Sequence, residues 1–208
     1  KKIIEIGGPS TLFFTKIPIY QDVASLDVVN YSNNTIWEGS IREGLTCNYY
    51  GNKIAYQHIS EASLLVGVKN QFYDAVISSH CLEHVANPIK ALLRWKEVIK
   101  SNGYMLIILP NKISNFDHKR KDTTFEHLMS DFENEVEEND TTHFNEFIEF
   151  FDLEKKPGKK INLKEHIEIT KNNFINREVH HHVFNKKLIY QILEYCNFEI
   201  LDYLEKKE

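Results

Sequence analysis

Five short apolar runs constrain the fold of this 208-residue chain more than any other feature. They are IIEIGG, VASLDVV, KIAYQHI, YDAVISS and GYMLIILP, at residues 3–8, 23–29, 53–59, 73–79 and 103–110. Amphipathic stretches separate them, and apolar strands that alternate with helices are typical of a parallel sheet with helices on both faces. The sequence therefore predicts an α/β fold with a doubly wound sheet.

The clearest unit of this pattern lies between residues 73 and 112, where a strand, a helix and a second strand follow one another. Asn87 and Pro88 predict an N-cap and a first helical residue, and the apolar residues that follow recur at helical spacing. Gly103 is predicted to end this helix.

After Pro110 the alternation stops until about residue 179, which is too long for a structureless loop in a compact domain. Thr123, Thr142 and Asn162 are predicted to cap three helices there. We therefore expect one domain, with a core at residues 1–110 and 180–208 and a helical cap inserted at about 111–179.

The end of the chain predicts a return to the core, with a helix at about 185–196 and a strand at about 198–204. No candidate strand follows Glu205. The chain is therefore expected to be truncated at its end or to complete its sheet in an unusual way.

The composition narrows the classes of partner. With 25 Lys and Arg against 30 Asp and Glu, the net charge is −5, which argues against nucleic acid and anionic lipid and favours a small molecule. The three cysteines show no CxxC spacing, which favours reduced thiols and a cytoplasmic protein. No apolar run is long enough for a membrane span.

Two features at the predicted strand ends suit an adenosine-containing cofactor. Gly7 and Gly8 follow the first strand, where glycine lets the backbone approach a ligand closely. Asp27 lies 22 residues after Glu5 and is predicted to end the second strand, where a carboxylate can accept both ribose hydroxyls. Each feature alone also fits a structural turn or a helix cap.

The segments EIGGPS, SLDVVN, YDAVISSHCLEHVANP and NGYMLIILPNK resemble, in order, the motifs of class I S-adenosylmethionine-dependent methyltransferases. The resemblance covers residues 3–112 strongly and 183–204 loosely. It implies a Rossmann-like sheet, S-adenosylmethionine as cofactor and S-adenosylhomocysteine as product. The residues that it places at the cofactor are Glu5, Gly7, Gly8, Pro9, Asp27, Asn30, Glu61, Ala62, Ser79 and His80.

Within this set, the resemblance places Glu5 and Gly7 near the methionine end, Asp27 at the ribose, Glu61-Ala62 beside the adenine and Ser79-His80 over the methionine moiety. Glu83 and His84 would orient the last of these loops or would only cap the next helix. The chain departs from the family in two ways. Its turn is GGPS rather than GxGxG, so Pro9 and Ser10 must shape the loop differently. The usual seventh strand is not visible in the sequence.

The segments FDHKRKDTTFEHL and VHHHVF extend the resemblance to methyltransferase domains of bacterial surface-polysaccharide clusters. That implies O-methylation of a sugar or nucleotide-sugar acceptor in polysaccharide biosynthesis, in some cases in association with a glycosyltransferase. Lys119, Arg120 and Lys121 would suit a nucleotide diphosphate, or form a solvated basic cluster.

Methyl transfer to a hydroxyl also needs a base, and histidine is the natural group near neutral pH. Seven of the ten histidines lie between Asn111 and His182. The candidate catalytic residues are Asp117, His118, His180 and His182. If residues 179–184 are extended, His180 and His182 share one face. Three interpretations stay open: a histidine base, a divalent metal site that includes Asp117, and histidines with a structural role.

Three other functions compete with sugar methylation. A methyltransferase with a non-sugar acceptor fits the same motifs. A nicotinamide-dependent dehydrogenase shares the glycine turn and the acidic residue but lacks GxGxxG. A non-catalytic scaffold could dock a partner through residues 131–154, which contain ten acidic residues and no Lys or Arg.

Overall fold

The computed structural model describes residues 1–205 and divides them into two compact units. The first unit consists of residues 1–82 and 91–108. The second consists of residues 83–90 and the chain from residue 109 onward. The predicted division into a core and a cap stays a prediction.

The first unit is built on a six-stranded sheet, and the five predicted apolar runs each supply one of its strands. The strands are β1 (Lys2–Ile6), β2 (Ser25–Asn30), β5 (Gly44–Tyr50), β6 (Lys53–Ile59), β7 (Tyr73–Ser79) and β8 (Ile99–Ile108). The α-helices between Lys2 and Ile108 are α1 (Thr11–Thr15) and α2 (Pro88–Val98), and two short strands, β3 (Asn34–Thr35) and β4 (Gly39–Ser40), pair with each other.

The strand order is β5-β6-β2-β1-β7-β8. Only β5, which was not predicted, runs antiparallel to its neighbour; the other pairs are parallel. From β1 the chain moves outward to β2 and β6, and then returns to β7 on the other side of β1. The strand order thus switches between β1 and β7, the place where open α/β sheets bind ligands. The α/β Rossmann-like fold class is confirmed.

Burial explains why the apolar runs became strands. Ile4, Val28 and Val76 occupy the three central strands and are completely buried. From α2, Leu92 and Trp95 are also completely buried. A central parallel strand loses solvent on both faces, so it needs a continuous apolar run rather than an alternating one.

The predicted end of α2 at Gly103 is wrong. The helix ends at Val98, and β8 begins at Ile99 and passes through Gly103. A Cβ atom at Gly103 would lie 2.9 Å from the carbonyl oxygen of Asp74, a residue of β7. This glycine therefore permits a close approach of two strands instead of ending a helix.

The second unit is helical. Its helices are α3 (Phe125–Glu133), α4 (Phe144–Phe150), α5 (Leu163–Lys171), α6 (Asn173–Asn176) and α7 (Lys186–Tyr195). The predicted cap at Asn162 is confirmed, with a full capping box to Glu165. The other two predicted caps are displaced by one residue, because Thr124 caps α3 and His143 occupies the N-cap of α4. No helix within residues 1–205 is long and apolar enough to cross a membrane.

The strand predicted at about 198–204 is wrong. Residues 198–205 follow α7 without helix or strand. Leu201 and Leu204 of this segment are exposed.

Candidate functional site

The turn after β1 is held close to its neighbours. Gly7 adopts a φ of +80°, which glycine accepts readily, and its N–H donates to the carbonyl of Val29 at 2.9 Å. A Cβ atom at Gly7 would lie 2.9 Å from the Cβ of Cys81. Gly8 and Pro9 are joined by a cis peptide bond. The turn thus needs glycine at residue 7 for both its backbone angle and its packing.

Glu5 lies beneath this turn, completely buried. Its carboxylate accepts from the N–H of Ser10 at 2.9 Å and from the hydroxyl of Tyr20 at 2.5 Å. A Cβ atom at Gly8 would lie 2.2 Å from the Glu5 carboxyl carbon. Glu5 therefore supports the turn from within the protein. The sequence pattern did not indicate its contact with Tyr20.

Burial raises the pKa of Glu5 from 4.5 to about 7, although the hydrogen bonds from Tyr20 and Ser10 act in the opposite direction. A carboxyl group whose pKa is raised in the folded state contributes to the free energy of unfolding. This contribution is complete at pH values below the unfolded pKa of 4.5. That stabilisation is lost as the pH rises through about 7.

We expect Glu5→Gln to remove this part of the pH dependence, because the amide keeps the shape of the side chain but does not titrate. From pH 5 to pH 8, the wild-type protein should lose about 2–3 kcal/mol of unfolding free energy that the variant does not lose. Urea unfolding of both proteins across this range measures the difference. Parallel pH profiles would show that Glu5 is ionised throughout.

Asn30 is the last residue of β2 and is buried beside the turn. Its amide nitrogen donates to the carbonyl of Gly8 at 2.8 Å, and its amide oxygen accepts from the indole of Trp37 at 3.2 Å. Asn30 therefore links the ends of β1 and β2, and Trp37 is a further residue at this edge that sequence reasoning missed.

The prediction that Asp27 ends the second strand is wrong, because β2 continues for three more residues to Asn30. The carboxylate of Asp27 accepts from the hydroxyl of Tyr73 at 2.6 Å and lies 3.6 Å from Lys2 Nζ and 3.7 Å from His58 Nε2. Burial raises the pKa of Asp27, but His58, Tyr73 and Lys2 outweigh it, so the pKa lies below its ordinary value. The Asp27 carboxylate thus contacts side chains of the fold itself.

We therefore expect Asp27→Asn to lower stability without weakening the binding of cofactor. Loss of a charged acceptor should cost about 1.5–3 kcal/mol of unfolding free energy. Chemical denaturation and calorimetric titration with S-adenosylhomocysteine measure the two quantities. A weakened titration with unchanged stability would restore Asp27 to the cofactor site.

The loop after β6 contains Glu61 and Ala62, the predicted adenine neighbours, both partly exposed. The indole of Trp95 donates to the carbonyl of Ala62 at 2.8 Å. Arg94 donates to the carbonyl oxygens of Leu64, Leu65 and Val68. Side chains from α2 thus fix the backbone of this loop.

Ser79 and His80 lie at the carboxyl end of β7, as predicted. His80 is exposed, has a φ of +51°, and donates its N–H to the carbonyl of Ile108 at 2.9 Å. The neighbouring Ser78 hydroxyl donates to the carbonyl of Ile6 at 3.1 Å. The chain therefore turns sharply where β7 ends beside β1.

These loops share one edge of the sheet, the carboxyl ends of β6, β2, β1 and β7, on both sides of the switch in strand order. At this edge lie the glycine turn after β1, the loop after β6 and the sharp turn after β7. They present backbone groups and the side chain of Glu61. This donor set fits a cofactor that carries both an adenosine and a charged amino-acid moiety.

In the second unit, the structure brings together two of the candidate catalytic residues, Asp117 and His180. Asp117 Oδ2 lies 2.5 Å from Nδ1 of His180. Arg120 donates to Asp117 Oδ1 at 2.9 Å and to the carbonyl of His180 at 2.8 Å. Burial raises the pKa of Asp117, but His180 and Arg120 hold it below its ordinary value. An ionised carboxylate therefore orients this imidazole.

His118 forms a separate pair, with its Nε2 2.6 Å from Asp152 Oδ2. His182 lies apart from both pairs, with Nε2 3.1 Å from the carbonyl of Ala86. The rings of His180 and His182 contact different groups, because His180 packs against Phe116 and His182 packs against His143.

Two predictions about charge need correction. Arg120 is buried against Asp117, so the cluster of residues 119–121 is not a solvated basic patch and cannot present all three cations to a diphosphate. Asp117 belongs to none of the groups within residues 1–205 whose side chains could jointly hold a metal ion. Its partner Arg120 already compensates its charge.

The acidic run at residues 131–154 is only partly a solvated surface. Several of its carboxylates are paired within the second unit. These pairs are Glu138 with Arg177, Asp140 with His181, Glu146 with Arg120, and Asp152 with His118 and Lys119.

One solved structure similar to this chain supports the fold, and two others are similar to it at lower scores. A protein assigned as a methyltransferase in Bacillus halodurans has 9% identity and a TM-score of 0.51, covering 97% of this chain and 64% of that one. A protein of Listeria monocytogenes assigned as S-adenosylmethionine-dependent has 15% identity and a TM-score of 0.41, covering 61% and 55%. This chain thus spans less than two thirds of either. No curated protein matches it.

Phosphoethanolamine N-methyltransferase 2 of Haemonchus contortus, solved with S-adenosyl-L-methionine, has 16% identity and a TM-score of 0.36, covering 95% of this chain and 44% of that one. The family described as methyltransferase domain matches residues 2–203, nearly the whole chain. The chain therefore belongs to the methyltransferase-domain family.

Proposed function

We propose that this protein methylates a hydroxyl oxygen of a sugar or nucleotide sugar in polysaccharide biosynthesis, with His180 as the base. The observation that carries the proposal is the buried pair of Asp117 and His180, joined at 2.5 Å. An alcohol loses its proton on methylation, so a placed base is useful for O-methylation.

The residues proposed to hold the cofactor lie on the loops at the carboxyl edge of the sheet: Gly7, Gly8, Pro9, Glu61, Ala62, Ser79 and His80. The bound cofactor supplies a methyl group on a sulfonium, which is an electrophile. Glu5 and Asn30 act as positioning residues, because their side chains fix the glycine turn from within the protein.

The role of His180 follows from its hydrogen bond. Because Nδ1 faces the carboxylate of Asp117, the ring proton belongs on Nδ1 and Nε2 is left to accept a proton. His180 would take the hydroxyl proton at Nε2, and the oxygen would receive the methyl group as its bond to the cofactor sulfur breaks and neutral S-adenosylhomocysteine leaves. Asp117 stays ionised and stabilises the resulting imidazolium.

The sugar class of acceptor rests on the resemblance of the sequence and on the surroundings of His180. The ring of Phe116 lies 4.6 Å from the ring of His180, and it stacks on Phe151 at 4.5 Å. Both phenylalanines are partly exposed, and aromatic faces with few polar groups are typical of small-molecule sites. The association with a glycosyltransferase stays a prediction.

The test is methyl transfer from isotopically labelled S-adenosylmethionine into a panel of sugars, nucleotide sugars, amines and small phenols, with mass spectrometry of the products. We expect label on a sugar hydroxyl oxygen, with one S-adenosylhomocysteine formed per methyl group. Label on nitrogen, on carbon or only on phenols would contradict the proposed acceptor. Cofactor binding without transfer to any acceptor would favour the scaffold.

A further inference from the structure

Four side chains of the second unit bring potential metal ligands together. They are His127, Asp131, His143 and His182, and one ligand atom from each lies within 4.8 Å of the others. Nε2 of His127 is 3.2 Å from Nε2 of His143 and 3.3 Å from Asp131 Oδ2. Nε2 of His182 is 3.8 Å from Asp131 Oδ2.

Three separate segments supply this cluster. His127 and Asp131 lie one turn apart on α3, where residues at i and i+4 share a face. His143 occupies the N-cap of α4, and His182 lies in the segment between α6 and α7. The rings of His127 and His182 are 4.9 Å and 5.1 Å from that of His143.

Two polar atoms of the cluster lack hydrogen-bond partners among the described residues. Asp131 Oδ2 and His182 Nδ1 are buried and accept no hydrogen bond. The side chains that pair with the Asp131 carboxylate in the described part of the chain are the imidazoles of His127 and His182, not Lys or Arg. A buried carboxylate with this environment is costly unless a cation compensates it.

We propose that His127, Asp131, His143 and His182 bind one divalent transition-metal ion of the zinc type. Four ligands around zinc, with zinc–nitrogen bonds of about 2.0–2.1 Å, stand about 3.3 Å apart in a tetrahedron. The distances from His127 to His143 and to Asp131, 3.2 Å and 3.3 Å, match that spacing.

The ligand set also selects the metal. Three imidazoles and one carboxylate suit zinc, cobalt and other borderline ions, whereas magnesium prefers oxygen ligands. Nε2 of His182 also lies 3.1 Å from the carbonyl of Ala86, which orients the ring, and Nδ1 has no hydrogen-bond partner among the described residues.

Two other groups fit less well. Asp140, His143 and His181 also lie close together, but the Asp140 carboxylate already accepts from the Thr142 hydroxyl at 2.7 Å. Glu83, His84 and His180 offer three ligands, and His180 is engaged by Asp117. The proposed four-ligand site would tie α3, α4 and the segment before α7 together, and is independent of the acceptor that the enzyme uses.

The test uses the full chain, purified without a polyhistidine tag and freed of metal by a chelator. Zinc is titrated in competition with a chromophoric chelator, and cobalt is added separately for its visible spectrum. We expect one equivalent of zinc to bind, an intense cobalt absorption typical of tetrahedral coordination, a higher Tm with zinc and no such effects with magnesium. No stoichiometric binding of zinc or cobalt would overturn the proposal.

Matched variants locate the ion. His127→Gln and Asp131→Asn should each weaken zinc binding by more than about 100-fold, because loss of a hydrogen-bonding neighbour of a ligand already costs 10–100-fold. The His127 side chain is 41% exposed, so its loss should spare the metal-free fold, which circular dichroism checks. His118→Gln and His166→Gln lie outside the cluster and should bind zinc normally. Equal binding by all four variants would mean that zinc binds elsewhere.

Discussion

Replacement of His180 by alanine is expected to lower kcat for methyl transfer by about 10²–10⁴-fold, the usual contribution of a placed general base. Asp117→Asn should lower kcat as well, because the neutral amide no longer fixes the proton on Nδ1 of His180. Steady-state kinetics with the acceptor identified by mass spectrometry measures both effects.

The pH profile separates a base from a structural histidine. The loss in His180→Ala should shrink at high pH, where the acceptor ionises without help, and its affinity for S-adenosylhomocysteine should equal that of the wild type. His118→Ala is the matched control, since His118 forms its own pair with Asp152. An equal loss in His118→Ala, or a pH-independent loss in His180→Ala, would contradict the assignment of His180.

Gly8→Ala is expected to reduce the affinity for S-adenosylhomocysteine by at least about 100-fold, which corresponds to about 2.7 kcal/mol. The added Cβ would meet the Glu5 side chain at 2.2–2.5 Å, so the turn or the carboxyl group must move. Because Glu5 holds Ser10 and Tyr20, the displacement would spread through the loop. Calorimetric titration measures the loss.

A double-mutant cycle with Glu5→Ala tests the cause. Alanine at residue 5 removes the three Glu5 atoms that a Cβ at Gly8 would strike. Gly8→Ala should therefore cost much less affinity in the Glu5→Ala background than in the wild type, a coupling that distant sites do not show. Additive losses would mean that Gly8 matters for its contact with ligand and not for its packing on Glu5.

The sequence allowed the fold to be predicted where burial alone determines the pattern. Three of the five apolar runs became the central strands β1, β2 and β7, which are apolar because such a strand loses solvent on both faces. The edge strand β5, GLTCNYY, was missed because Tyr49 alone of its seven residues is buried and it carries polar Thr46 and Asn48. Gly103 was misassigned because a glycine that ends a helix and one that lets strands approach look alike in sequence.

The site was predictable only in part, because its contacts join residues that are distant in sequence. Asp27 looked like a strand end, yet it is held by Tyr73, 46 residues away. Tyr20 and Trp37 carried no pattern that pointed to the glycine turn. In contrast, the proposed metal ligands on α3 left a signal that was overlooked, the spacing of His127 and Asp131 by four residues within a predicted helix.

The measurement that tests the location of the cofactor site most directly is hydrogen–deuterium exchange with and without S-adenosylhomocysteine. We expect slower exchange in three segments, residues 7–12, 60–66 and 79–81, which follow β1, β6 and β7, and unchanged exchange in α3. NAD should have no such effect. Unchanged exchange in all three segments with S-adenosylhomocysteine at saturation, or protection by NAD instead, would contradict a cofactor site at the carboxyl edge of this sheet.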